Sequence, residues 1–294
     1  MKFVTFQSSG AAHVGAIASN GTSLVDLTEA GLATSMIDLI ERFDGLRGRV
    51  ETALAAQPAR PFPASDLLAP IPLPRRNIFC VGKNYYEHAA EFGGSGFDAG
   101  SVGGSEVPEY PIFFSKPPSA VIGPGAGINS ALDPYNSVDY EAELAVVIGR
   151  AGRVAEADDP MKFVFGYTIL NDVTSRELQK RHKQWLLGKG IDTFAPMGPA
   201  IVTADAVKDL AAVRIELAVN GEKRQSAELR DLIFDIPTLI RAVGRSISLV
   251  PGDIIATGTP VGVGIGFKPP RYLKPGDTVR ISVAEIGVLE NPVL

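Results

Sequence analysis

The chain has 294 residues, 45% of them hydrophobic and 21% charged, with a formal net charge of −5. These values exclude disorder as the default and leave room for one large domain, or a small one beside a large one. An acidic balance argues against a nucleic-acid partner, since the nearest basic cluster, Gln179–Lys183, is short.

A single cysteine, Cys80, permits no intrachain disulfide and fits a reducing compartment. The N-terminus alternates like a strand and lacks the apolar run of a signal peptide. No apolar run approaches the ~20 residues of a membrane helix. The expectation is a soluble, cytoplasmic protein with neither a nucleic-acid nor a membrane partner.

In chain order, KFVTFQ, HVGAIA and, after an Asn20-Gly21 turn, TSLVDL read as a hairpin with a third strand. From Thr34 to Ala56 the pattern turns helical, with Ser35 and Asp38 placed as a capping box and Met36, Leu39, Ile40 and Phe43 on one side. Prolines at 58, 61, 63, 70, 72 and 74 then forbid regular structure and predict a stiff connector. The expected domain boundary falls there, between a small N-terminal domain (1–70) and a catalytic domain (71–294).

Beyond it, NIFCVG, PIFFSKP, AELAVVIG and FVFGYTILNDV read as strands, the last ending at Asp172, and YYEHAAEF as a helical turn. TSRELQKRHKQW has helical composition, and RIELAVNGEKRQ is a hairpin with an Asn-Gly turn. DIPTLIRAVGRSI is a helix with Asp235 as N-cap and Pro237 near its start. Two further strands close the chain, each introduced by a Pro-Gly-Asp turn. Strands outnumber helices and the order is not βαβα, so the expected class is α+β and β-rich rather than a Rossmann sheet.

Residues 93–107 are rich in Gly and Ser and read as either an inert surface loop or a lid. Their formal match to a dinucleotide fingerprint fails, because no strand precedes it and no helix follows.

The chemistry begins at SVDYEAELAVVIG, residues 137–149, where Asp139, Glu141 and Glu143 alternate and therefore share one face of a strand. Carboxylates crowded beside a core must face water, protonate or hold a cation. Asp172, ending its own apolar strand, shifts the balance from an exposed acidic edge toward a cation. An oxygen-only set suits Mg²⁺ or Mn²⁺. Zinc would want nitrogen or sulfur, and the only histidines are His13, His88 and His182.

If 172–183 is helical, Arg176 and Gln179 lie at i+4 and i+7 from Asp172, either as part of a site or as a solvated face. Lys189 stands between Gly188 and Gly190 and reads as a surface or a catalytic lysine. His88 and Glu91, spaced i,i+3, are the minimal equipment of a general base, or else a packing histidine beside a carboxylate. No G-x-S-x-G elbow supports a serine nucleophile, and Cys80 reads as a packed thiol.

Together, VGKNYYEHAAE, PIFFSKP, DYEAELAVVIG, GYTILNDVTSRELQ, GKGIDTFAPMGP, VNGEKRQ, DIIATGTPVGVG and LKPGDTVRISVAEIGVLEN resemble the fumarylacetoacetate hydrolase family, from about Asn77 to the C-terminus. The 1–70 region resembles the small α/β N-terminal domain of many bacterial members.

The resemblance implies a mixed, distorted β-roll, a homodimer, and Mg²⁺ or Mn²⁺ held by Glu141, Glu143 and Asp172, with Asp139 outside that set. It implies a His88–Glu91 base, a charge-stabilising Lys189, Arg176 and Gln179 beside the metal, and substrate contacts at Tyr85 and Thr259. Where the animal hydrolase has a further aspartate ligand, this chain has Gly82-Lys83-Asn84. In relatives the chain after the His–Glu pair acts as a lid, which favours that reading of 93–107.

The implied reaction is hydrolysis of a C–C bond in a 2,4-dioxo acid such as an acylpyruvate, as in the catabolism of aromatic compounds. The family's oxo-acid decarboxylases and 2-hydroxy-dienoate isomerases or hydratases are the alternative.

Overall fold

The protein is represented by a computed structural model that describes residues 1–56, 60–61, 64–94 and 107–294. Most of the glycine-rich segment 93–107 and part of the proline-rich connector thus lie outside the described residues.

The chain opens as expected, with β1 (Lys2–Ser8), β2 (Ala11–Ile17) and β3 (Ser23–Asp26). Ser9 and Gly10 both adopt positive φ, 50° and 82°, as a two-residue hairpin turn requires. Helix α1 (Met36–Ala56) buries Met36, Leu39, Ile40, Phe43, Leu46, Val50 and Ala53, one stripe at helical spacing. Ser35 Oγ accepts from Asp38 N at 3.1 Å, while Asp38 Oδ2 accepts from Thr34 N at 2.9 Å, one residue earlier than a capping box has it. Phe43 fastens the helix to the sheet edge-on, its ring centre 5.6 Å from that of Phe3 and 5.1 Å from that of Phe165.

Next come β4 (Ile78–Gly82), α2 (Tyr86–Gly94), β5 (Ile112–Lys116), the two-residue β6 (Val138–Asp139) and β7 (Ala142–Ile148). They are followed by β8 (Val164–Asn171), the two-residue β9 (Thr174–Ser175), α3 (Arg176–Arg181), α4 (Leu186–Lys189) and β10 (Ala195–Thr203). The hairpin β11 (Arg214–Val219) and β12 (Glu222–Glu228), helix α5 (Ile236–Gly244), β13 (Ile254–Ala256), β14 (Thr278–Val283) and β15 (Gly287–Pro292) complete the chain. Asn220 and Gly221, with φ of 52° and 80°, form the expected turn of the β11–β12 hairpin. Asp235 caps α5 through Thr238 N at 2.9 Å.

The main sheet runs β3-β2-β1-β10-β8-β7-β13-β4-β5, antiparallel except where β13 meets β4. Its N-terminal strands join it directly, through the pairing of Phe3 with Ile201. A second, antiparallel sheet runs β12-β11-β14-β15. Strand β7 lies between two cores. Leu144, Val146 and Ile148 pack with Ile215, Leu217 and Ile281 of the second sheet, and Ala145 and Val147 pack toward α1 with Leu39 and Phe43. Burial on both faces explains its unbroken apolar run. The class is α+β and sheet-rich, as expected. Among the described residues, no helix is long and apolar enough to cross a membrane.

Candidate active site

Residues 137–149 do not form one strand. The ladder breaks at Tyr140–Glu141, leaving Asp139 in β6 and Glu143 in β7, with Glu141 in the break. The backbone groups freed there are answered from elsewhere. Glu141 N donates to Asn171 Oδ1 at 3.0 Å, Ala142 N to Gln225 Oε1 at 3.0 Å, and Asp172 N to Glu141 O at 2.8 Å. The end of β8 is thereby stitched to the break, and Glu141, Glu143 and Asp172 each bring a carboxylate oxygen within 4.8 Å of the others. All three are buried.

Asp172 is not on a helix with Arg176 and Gln179, as its spacing suggested. Strand β9 intervenes, pairing Thr174 with Asp139, and α3 starts only at Arg176, with Ser175 accepting from Leu178 N as its cap. Arg176 and Gln179 still share a helical face, and Arg176 Nη1 donates to Gln179 Oε1 at 3.2 Å.

Three cations face the carboxylates. Lys189 Nζ donates to Glu141 Oε2 at 2.7 Å and Asp172 Oδ2 at 2.9 Å. Arg176 Nη1 lies 2.7 Å from Glu141 Oε1, and its Nε donates to Asp139 Oδ2 at 2.8 Å. Lys116 Nζ lies 2.8 Å from Asp172 Oδ1, but its protons go to the carbonyls of Val173, Lys189 and Phe194. Asp172 Oδ1 consequently has charge beside it and no hydrogen bond.

Glu143 accepts from Gly258 N at 2.8 Å, and neither lysine nor Arg176 lies within ion-pair distance of it among the described residues. Burial, reinforced by Asp172 and Glu141, holds its carboxyl well above the usual range. Burial also pushes Glu141 up, but Lys189 and Arg176 overcome it and bring the group down to about 2. Burial lowers Lys189 less than Asp172 and Glu141 raise it.

The imidazole pair comes from α2. Lys83, at φ +55°, turns the chain out of β4, and Asn84 pins the turn by donating to Phe234 O at 3.0 Å and Thr257 O at 2.7 Å. One helical turn on, His88 Nδ1 lies 3.3 Å from Glu91 Oε2. His88, Glu141, Arg176, Gln179, Lys189 and Thr259 line one narrow cleft. Lys83 lines it too.

Tyr85 does not line this cleft. It lines a neighbouring hollow of about 420 Å³ with Tyr86, Ser226, Arg230 and Pro260, and burial raises its hydroxyl. Cys80 is a buried thiol that desolvation pushes well up, as expected of a packed cysteine.

Sequence reasoning missed Lys83, Lys116 and Gln225. Gln225, from the second sheet, donates to Thr259 Oγ1 at 2.9 Å and Pro260 O at 2.7 Å, so it joins the break at Glu141 to the substrate-side loop. Nothing in its hairpin sequence marks it. Lys116 could have been found as a lysine inside the apolar run PIFFSKP.

The donor set fits a divalent cation. Three converging carboxylates, oxygen-only, one of them with a buried oxygen lacking a hydrogen bond, are what a hard dication demands.

Such a carboxylate centre at the end of a mixed sheet, with its Glu141 lining a cleft beside His88, is an arrangement that could serve a metal-dependent enzyme. The profile for the Fumarylacetoacetate (FAA) hydrolase C-terminal domain matches residues 77–294, and the chain belongs to the fumarylacetoacetate hydrolase family. It is 46% identical over 227 residues to oxaloacetate tautomerase YisK of Bacillus subtilis, covering 77% of this chain and 72% of that one. It is 41% identical to the mitochondrial oxaloacetate tautomerase FAHD2A of Bos taurus, covering 100% of this chain and 92% of the relative. Among solved structures, maleylpyruvate hydrolase from Sphingobium sp. SYK-6, in complex with manganese(II) and pyruvate, aligns with a TM-score of 0.80 at 34% identity, covering 100% and 99% of the two chains.

Proposed function

We propose that the protein is a divalent-metal-dependent oxaloacetate tautomerase, interconverting the enol and keto forms of a four-carbon 2-oxo dicarboxylate. The observation that carries this reading is the narrow cleft that His88 shares with Glu141 of the carboxylate centre, Lys189 and Arg176. Two relatives named for this activity, one of them matched over the whole chain, support it.

The chemistry moves one proton from the C2 enol oxygen to C3, with nothing gained or lost. A dication held by Glu141, Glu143 and Asp172 would supply Lewis-acid charge at the 2-oxo group. Arg176 Nη2, buried and without a hydrogen-bond partner, is a donor ready for a substrate carboxylate. Lys189 Nζ stands beside the same carboxylates and offsets negative charge developing on the C2 oxygen. His88 holds the proton that C3 takes up, and Glu91 beside its Nδ1 orients the ring and offsets its charge.

A second reading, hydrolysis of acylpyruvates, draws on the same pair. His88 backed by Glu91 is also equipped to activate water, and the manganese- and pyruvate-bound structural neighbour is a hydrolase. The test is to follow enol-oxaloacetate by its ultraviolet absorbance with Mg²⁺ or Mn²⁺ added, while assaying pyruvate and carbon dioxide. Catalysed enol decay without pyruvate is the expected result. Pyruvate plus a free carboxylic acid from an acylpyruvate, with no effect on enol decay, would replace this reading with the hydrolytic one.

A further inference from the structure

Asp139 alternates with the two glutamates in sequence but does not join them in space. It is fully buried and accepts four hydrogen bonds. Tyr140 N at 2.8 Å and Gly264 N at 2.7 Å donate to Oδ1, and Ile265 N at 3.0 Å and Arg176 Nε at 2.8 Å donate to Oδ2. One carboxylate therefore grips both the substrate-side guanidinium and the loop Gly262–Gly266.

That loop also holds a second carboxylate. Gly262 N lies 3.1 and 3.2 Å from the two oxygens of Glu91, the partner of His88. The Tyr140 hydroxyl donates to Gly262 O at 3.1 Å and anchors the loop from beneath. The glycines are what allow this approach. A Cβ at Gly264 would stand 2.6 Å from Asp139 Oδ1, and one at Gly266 only 1.9 Å from Glu91 Oε1.

We propose that Asp139 is a positioning residue, locking Arg176 and the His88–Glu91 pair into one frame through the Gly262–Gly266 loop. The proposal rests on the reading that Arg176 binds substrate while His88 moves a proton. Asp139 Oδ2 holds Arg176 at Nε, which leaves Nη1 toward Glu141 and Nη2 without a hydrogen-bond partner. An amide in its place keeps one acceptor oxygen but presents N–H to donors already there, either Arg176 Nε or the loop amides. A buried ion pair serving stability alone would not be sensed at His88.

The experiment uses the full chain and compares wild type with Asp139→Asn and Gly266→Ala, reading three quantities. The first is the His88 ring ¹⁵N signal without substrate, assigned by its loss in His88→Gln. The second is Mn²⁺ affinity by calorimetry, and the third is the kinetics of enol-oxaloacetate decay.

Both variants are expected to shift the His88 signal, lower kcat by about 10–100-fold, and leave Mn²⁺ affinity within about threefold. Asp139→Asn should also raise KM, because Arg176 is released, whereas Gly266→Ala, whose added methyl meets Glu91 first, should not. A folded Asp139→Asn with an unmoved His88 signal overturns the proposal, as does an unmoved signal in Gly266→Ala. Should Asp139→Asn not fold, Asp139→Glu, which keeps the charge on a longer arm, takes its place with the same readouts, and an unmoved His88 signal there overturns the proposal equally. Because the His88 signal is read without substrate, absence of tautomerase activity would overturn the proposed function and leave this inference standing.

Discussion

Glu141 and Glu143 contribute to the same carboxylate centre, yet their removal should have opposite consequences for the metal-free protein. Glu141 is ionised and doubly paired, with Lys189 at 2.7 Å and Arg176 at 2.7 Å. Glu141→Gln keeps one acceptor for two cationic donors and turns an amide against the other. Breaking a buried pair from one side costs about 3–5 kcal/mol. The lowering of its carboxyl from 4.5 to about 2 corresponds independently to about 3 kcal/mol. Because that group is lowered on folding, its contribution is present above pH ~4.5 and lost as pH falls toward 2.

Glu143 is the reverse case. Burial, Asp172 and Glu141 push its carboxyl toward the protonated form, so Glu143→Gln should come close to replacing one neutral group by another, and the amide oxygen can still accept from Gly258 N.

For 294 residues the unfolding entropy near 60 °C is about 0.6 kcal/mol/K. Glu141→Gln should therefore lower the Tm of the EDTA-treated protein by about 5–8 °C, and Glu143→Gln by less than about 2 °C. Wild type at a metal concentration of 100 Kd gains about 2.7 kcal/mol, or about 4 °C, and both variants should lose that gain. Thermal melts followed by circular dichroism, with EDTA or Mn²⁺, measure all of this. If Glu143→Gln destabilises the metal-free protein as much as Glu141→Gln does, Glu143 is ionised there and the assignment of charges is wrong.

Since Glu143 must lose its proton to bind a cation, Mn²⁺ affinity should rise with pH. Calorimetry in two buffers of different ionisation enthalpy should find close to one proton released per metal, and none released would contradict the protonated state. His88→Gln should lower turnover about 10²–10⁴-fold with Mn²⁺ affinity unchanged, a result that steady-state kinetics and calorimetry check together. Lys116→Met should cost about 3 kcal/mol or more, since it strands three buried carbonyls and Asp172, and a melt within 1 °C of wild type would refute that accounting.

What could be read from the sequence follows from where the determinants lie. The β11–β12 hairpin, the capped α5 and the stripe of α1 are local devices, each contained within a few residues, and each stands where it was expected. The converging carboxylates were legible because acids are rare in apolar strands, so Glu143 and Asp172 stand out against Ala145, Val147 and Ile169. The break at Tyr140–Glu141 was not legible. It is made by Asn171 and Gln225, which lie 30 and 83 residues away in sequence and cap the freed amides by tertiary contact. Period-2 alternation therefore placed Asp139 with the glutamates, when the break turns it toward Arg176. The helical reading of 172–183 failed for a related reason, because Thr174 and Ser175 pair with β6 before the helix can begin.

Around the centre, three acidic side chains, Asp139, Glu141 and Asp172, face three basic ones, Lys116, Arg176 and Lys189. Each buried acid is thus matched by a basic partner rather than stranded. A dication held by Glu141, Glu143 and Asp172 would add positive charge to that arrangement even after Glu143 gave up a proton. The site would then attract an anion in a low-dielectric cleft, where such a charge acts most strongly. Arg176 Nη2, without a hydrogen-bond partner among the described residues, is the donor that an incoming carboxylate would find. The order of events follows from electrostatics. On the proposed function, a dication held there would supply the field that recruits a dicarboxylate, and Lys189, which faces Glu141 and Asp172, would be available to offset charge on the substrate.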